Sequence, residues 1–312
     1  MGRNRNMRHA MAAGFAAFHR PHKGQARPEW HCIAGQSVVV RPHQTKQKGH
    51  RMRPTITTLW AAILAAGIAG AASAQQSAGG VQQETDTSGT NPAVLTRTLS
   101  LSNEYRFLGD SHYDATLLRY TEPFLDGRAA IRLTLPFNVT DLTGDGVTGF
   151  GDIAAKFSWI PPVDRLQAFV LSAEIFAPTA DEDALGTGKW VAAPGLTYAR
   201  FVSREVIVAP ALIHNFSFAG DDDQADVSRT DFDFYVVYRP HGKRWWITSD
   251  ITISHDFESD KTPASWELAF GRNLAGLAGG AAINGYIRPG IGLGADRPYD
   301  ANIEVGLSIV NF

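Results

Sequence analysis

The sequence predicts an all-β chain: a transmembrane, antiparallel, up-and-down β-barrel of about twelve strands, behind a cleaved signal peptide. Three observations carry that expectation. A basic, then apolar, then small-residue segment ends at Ala72-Ser73-Ala74. From Arg97 to Phe312 the chain runs in stretches of about ten residues that alternate apolar with polar, and no 3.6-residue period is sustained. The connections between them alternate between tight turns and longer, acidic loops.

In the leader, Arg51 and Arg53 precede an apolar centre, Leu59 to Ala71, and a small-residue cleavage site before Gln75. That centre is about 13 residues long, too short for a bilayer that needs about 20, so it reads as a cleaved signal at 52–74. Translation is expected to begin at Met52, which makes 1–51 a disordered upstream extension. Residues 75–96 open with a Gln/Ser/Gly/Thr-rich run and read as a flexible periplasmic tail; 97–312 form the barrel. Of the chain's 29 Lys+Arg and 31 Asp+Glu, 11 bases and one acid lie in 1–74, which leaves 18 against 30 and a net charge of −12. A charge of that sign argues against nucleic acid as a partner. The single cysteine, Cys32, lies before the leader, so the exported part has no disulfide or thiol chemistry.

Strands are expected at about 97–107, 113–123, 128–138, 151–160, 166–177, 189–201, 206–217, 229–239, 245–256, 263–272, 281–291 and 301–312. Their length exceeds the roughly 5–6 residues of soluble strands and suits a tilted membrane-spanning strand of about 9–11. The hairpin from Thr230 to Ser254 shows the pattern best. Phe232, Phe234, Val236 and Tyr238 share one face, with Asp231, Asp233 and Tyr235 on the other; Ile247, Ile251 and Ile253 oppose Thr248, Asp250 and Thr252. Strands 113–123 and 206–217 have no clear phase, and Pro194 and Pro210 inside strands suggest a bulge or kink.

Charged residues out of phase with the apolar face are expected to turn away from lipid, into the lumen: Arg132, Lys156, Glu174, Asp231, Asp233, Asp250, Glu267, Arg288 and Glu304. They are either a salt-bridged filling that stiffens a small barrel or a polar path for a solute. The narrowness of a lumen of about twelve strands favours the filling. Trp159, Lys189, Trp190, Trp245 and Trp266, at or near strand ends, are expected as membrane-interface anchors. Asp221, Asp222, Asp223 and Asp226 form an acidic loop that could hold Ca²⁺ or bridge lipopolysaccharide, though a solvated loop is the simpler reading. No metal or other cofactor is called for.

Gly149-Phe-Gly-Asp-Ile153, Ala184-Leu-Gly-Thr-Gly-Lys-Trp-Val-Ala-Ala-Pro-Gly195 and Ala219-Gly-Asp-Asp-Asp-Gln-Ala-Asp-Val227 carry a resemblance. They are similar to signatures of the transporter-like outer-membrane barrels grouped with the phenol meta-pathway family, often labelled neuromedin-U-like. The resemblance spans roughly residues 113–312. It implies a porin-like barrel and, for some members, uptake of aromatic or other hydrophobic compounds; it supplies no functional residues.

The sequence thus leads to an outer-membrane barrel that passes a small hydrophobic or aromatic solute, with a non-transporting structural or ligand-binding envelope barrel as the alternative. Its expected partners are outer-membrane lipid and lipopolysaccharide, the barrel assembly machinery, which reads a terminal aromatic such as Phe312, and the solute. A lipid-active enzyme is the third reading. His214-Asn-Phe-Ser217 and Ser254-His255 place a histidine near a serine without the phospholipase His-x-Ser-Asn-Gly pattern, and no catalytic residue is assigned.

Overall fold

The computed structural model describes residues 29–33, 36–40, 86–162 and 166–312. The leader at 52–74 and the tail residues 75–85 lie outside the described residues. Within 1–51, the stretch expected to be disordered, Glu29–Ile33 (β1) and Gln36–Val40 (β2) pair as an antiparallel ribbon.

The remaining strands are β3 (Thr98–Leu108), β4 (Ser111–Phe124), β5 (Ala129–Thr140), β6 (Val147–Phe150), β7 (Ala154–Trp159), β8 (Gln167–Phe176), β9 (Lys189–Phe201), β10 (Val206–Gly220), β11 (Ser228–Tyr238), β12 (Trp245–Asp256), β13 (Ala264–Gly276), β14 (Ala282–Leu293) and β15 (Ala301–Val310). Apart from β6 and β7, which both pair with β5, each pairs antiparallel with its sequence neighbours, and β15 returns to pair with β3 from Ala301↔Phe107 to Val310↔Thr98. Because β6 and β7 both lie along β5, they form one interrupted stave, and the closed barrel has twelve. Closure pairs every barrel strand on both sides except the short β6, which pairs with β5 alone, and so meets the condition for a sheet to sit in hydrocarbon.

The outer surface is apolar and the inside polar. Leu133, Phe157, Phe234, Phe270 and Leu307 all stand exposed on the outward face, while Glu104, Asn138, Asp231 and Glu304 are buried. A soluble protein distributes them the other way. The outward face therefore meets lipid, and the strand alternation does the sorting.

The broken stave has a local cause. Pro136 on β5 has no N–H to give the ladder. On either side of it the register steps by one residue, from Thr134↔Ala154 to Phe137↔Phe150, so Gly151 to Ile153 bulge out of the strand pattern. The bulge turns the Asp152 side chain into the lumen, where loop 177–188 meets it. At Pro194 and Pro210 the expected bulge is absent: the β8–β9 and β10–β11 registers run through both without a shift. The irregularity in β10 falls instead between Ser217 and Ala219.

Residues 86–96, the described end of the stretch expected to be a flexible tail, are packed at the mouth where β3 begins and β15 ends. Asp86 is buried, with its carboxylate on Arg239 and on the Asn91 backbone N–H at 3.0 Å. Asn284 donates to the Thr87 carbonyl at 2.7 Å, and Asn311 to that of Asp86 at 3.1 Å. Further along, Ala93 and Leu95 pack on an inward-facing apolar ring that includes Ala168, Val170, Ala199, Ile207, Ala209 and Val237.

Candidate functional site

The lumen carries two charged arcs. The first, on β11 to β15 and β3, is acidic and densely bonded. Glu304 receives the Tyr286 hydroxyl at 2.7 Å and the Arg288 guanidinium. Arg288 also lies 3.0 Å from Glu267, which accepts bonds from Tyr299 at 2.7 Å and Asn302 at 2.8 Å. The same Asn302 amide reaches Glu104 at 2.8 Å, and Arg106 clamps Glu104 with two bonds of 2.8 Å. Towards β10, Asp231 is held by Arg229, Asn215 and Ser254. Asp233 takes a bond from Thr252 at 2.9 Å, whereas Asp250 Oδ1 is buried without a hydrogen-bond partner. Two inward aromatics close over glycines in this arc: a Cβ at Gly306 would lie 2.3 Å from the Tyr286 ring, and one at Gly271 2.1 Å from the Trp246 indole.

The second arc, on β4 to β8, is basic. Arg132 lies 3.1 Å from Glu174, which Lys156 approaches to 3.6 Å. Arg119 stands opposite Thr134 on β5 and diagonal to Arg132. Its guanidinium is 3.2 Å from the Ser102 hydroxyl and forms no ion pair among the described residues. Between the arcs, β9 and β10 present small residues inward: Ala193, Gly195, Ala209 and Ala211.

At the mouth opposite the start of β3 and the end of β15, loop 177–188 folds inward and is pinned by the bulge. Asp152 accepts the Thr179 and Ala180 backbone N–H groups at 3.0 and 3.2 Å on one oxygen. Its other oxygen takes the Thr187 N–H at 2.7 Å and hydroxyl at 2.9 Å. Asn138 donates to the Leu185 carbonyl at 3.2 Å. A Cβ at Gly186 would lie 2.6 Å from Asp152, so only glycine permits this approach. Two of the sequence signatures, around Gly149–Ile153 and Gly186–Thr187, are therefore the two halves of one loop anchor. Beneath it lies a cavity of about 140 Å³.

All nine residues expected to line the lumen lie in inward register: Arg132, Lys156 and Glu174 in the basic arc, the other six in the acidic one. Sequence reading missed Arg119, Glu104, Arg106, Arg229 and Asn302. Glu104 and Arg106 alternate with Tyr105 and Phe107, a signal that was available. Arg119 was hidden because the outward face of β4 is itself polar: Asp114 and Thr116 there bond to Asn103 at 2.5 and 3.0 Å. Of the five expected interface anchors, Trp159, Trp190, Trp245 and Trp266 stand outward and exposed near strand ends. Lys189 does not: it is buried, with its ammonium 3.2 Å from Asp226. Its place in strand alternation turns it away from lipid, and the acidic loop supplies a nearer partner than a lipid phosphate. Neither histidine–serine pair forms a dyad, since His214 and His255 bond to Thr230 and Thr262 while Ser217 and Ser254 bond to Asp226 and Asp231. No group of three or more His, Cys, Asp or Glu is placed to hold a metal among the described residues, the acidic loop included.

No family model and no curated protein matches the chain. Among solved structures it is similar to the COG4313 outer membrane channel from Pseudomonas putida F1, with a TM-score of 0.56 and 12% identity over 73% of this chain and 98% of that one. It is also similar to the NanC porin, with a TM-score of 0.50 and 10% identity over 69% and 99% of the two chains. The protein is a twelve-strand outer-membrane β-barrel. At such low identity the likeness extends to the fold, and the chemistry of the lumen has to be argued from this chain's own residues.

Proposed function

We propose that this barrel is an outer-membrane channel for uptake of a small hydrophobic or aromatic solute. The observation that carries the reading is the lumen's composition. Between the charged arcs Ala193, Gly195, Ala209 and Ala211 face inward, and a cavity of about 140 Å³ remains beneath loop 177–188. Gly195 and Ala211, half-buried in that wall, leave cross-section where a purely structural filling would place bulk. The resemblance at Gly149–Ile153 and Ala184–Gly195 supports an aromatic solute, and the channel and porin names of the two similar structures support passage. Membrane lipid and lipopolysaccharide around the apolar belt, and the assembly machinery at the terminal strand, are the partners this reading entails.

A non-transporting barrel is the second reading, favoured by the seating of residues 86–96 in one mouth. Planar-bilayer conductance and swelling of liposomes in aromatic solutes decide between them. The channel reading expects conductance that rises when residues 86–96 are deleted. A barrel that stays closed to ions and solutes in both forms overturns it.

A further inference from the structure

The cavity beneath loop 177–188 has an uneven set of partners. Its polar rim includes Arg119, Arg132 and Asn138; its body is made by Leu117, Pro136 and Phe176. Both other ionised groups on its lining are already engaged. Asp152 is saturated by four donors from the loop, and Glu174 is matched by Arg132 and Lys156. That leaves Arg119 without an ion pair among the described residues, its guanidinium hydrogen-bonded to the Ser102 hydroxyl. Two further atoms lack partners. Arg132 Nε is a buried donor with none, and Asn138, 1% exposed, has its Oδ1 unsatisfied while its amide donates to Leu185. A buried polar atom without a partner is unfavourable, and a ligand that satisfies it recovers that cost.

Resting on the channel reading, we propose that this cavity is a solute subsite for a small ring-bearing carboxylate that also carries a hydroxyl group. The carboxylate answers the donors, Arg119 and the Arg132 Nε, in charge-assisted bonds. The hydroxyl supplies the donor that Asn138 Oδ1 lacks. The ring lies on Leu117, Pro136 and Phe176. A cavity of about 140 Å³ has room for one such ring.

The test is calorimetry on the full, detergent-purified barrel with 4-hydroxybenzoate, benzoate, benzyl alcohol and benzylamine. The subsite expects that order of affinity, with the amine last. Arg119→Gln is expected to weaken both carboxylates by about ten- to hundredfold. Asn138→Leu is expected to erase the preference for 4-hydroxybenzoate over benzoate. Equal binding of the alcohol or amine overturns the proposal, and so does no binding of any probe. The ranking on the unaltered protein decides the matter even if a variant fails to fold. Conductance recorded alongside separates the two claims: a conducting barrel without carboxylate preference removes the subsite and leaves the channel, whereas carboxylate binding without conductance does the reverse.

Discussion

The two arcs of the lumen hold similar residue types and put them to different ends. On the acidic side Arg288 and Arg106 each serve carboxylates that also collect bonds from Tyr286, Tyr299 and Asn302, and aromatic rings lie flush on Gly306 and Gly271. On the basic side Arg119 faces a cavity whose two carboxylates are already taken, Glu174 by Arg132 and Lys156 and Asp152 by the loop. Charges tied into ion pairs stiffen a wall, whereas a charge without an ion pair is left to meet a solute. The contrast teaches that counting lumen charges says little, and that pairing decides which charges are structural.

The sharpest way to break the contrast is to remove a hub from the paired side. Arg288→Met leaves Glu304, 2% exposed, and Glu267 without their cation. Breaking a buried pair from one side is destabilising by about 3 kcal/mol. The loss is read as a lower denaturation midpoint of the compact, heat-modifiable band on a gel. Adding Glu304→Gln to the same chain is expected to restore part of it, because the stranded charge goes too. An unchanged midpoint for Arg288→Met would show that the acidic arc is not the structural one.

A smaller effect comes from the glycines. Gly306→Ala drives a methyl into the Tyr286 ring, where a Cβ would be 2.3 Å from ring carbon, and is expected to destabilise by about 1–3 kcal/mol. Gly195→Ala, on the small-residue wall, meets only the tip of Ser172 at 2.9 Å and of Ile213 at 3.2 Å, so its effect is expected to stay under about 1 kcal/mol. Equal effects would mean that the wall is as tightly filled as the acidic arc, which would count against a passage there.

On the basic side, Arg119→Gln is expected to change stability by no more than about 0.5 kcal/mol, since no ion pair is broken. Its signature is functional: the reversal potential in a salt gradient should move toward cation preference. A large fall in stability with no shift in potential would place Arg119 among the structural charges.

How much of this was legible beforehand follows from strand alternation. A strand with one apolar face, such as β5 or β11, declares its inward residues by parity alone, and Arg132, Asp231 and Asp233 were readable for that reason. β4 carries polar groups on both faces, so Arg119 was not. Neither was the bulge opposite Pro136, because it depends on which strand lies beside that proline. The cavity needs Asp152, Asn138 and Leu185 in one place, brought together by a loop whose path no local pattern encodes. Pairing partners such as Asn302, which serves two carboxylates at once, are likewise a product of closure.

Lys189 is the residue where parity and proximity disagreed with intuition, and it yields the mildest prediction. Its ammonium and the Ser217 hydroxyl both hydrogen-bond Asp226 in the exposed acidic loop, and the lysine bond is the larger cause holding that carboxyl below the usual range. A carboxyl depressed in the folded state contributes stability above its unfolded pKa, and the contribution is lost as pH falls through the folded value. The bond should therefore tether loop 221–227 at neutral pH and release it in acid, below the ordinary aspartate range. Limited proteolysis between Gly220 and Val227 is expected to quicken at acid pH and, at neutral pH, in Lys189→Met. High salt should mimic the substitution only weakly, because the lysine itself is buried. Trp190 fluorescence, reporting the lipid interface next door, should not move in either case. If Lys189→Met instead altered lipid partitioning of the barrel and left the loop's cleavage unchanged, the side chain would be working at the membrane surface after all.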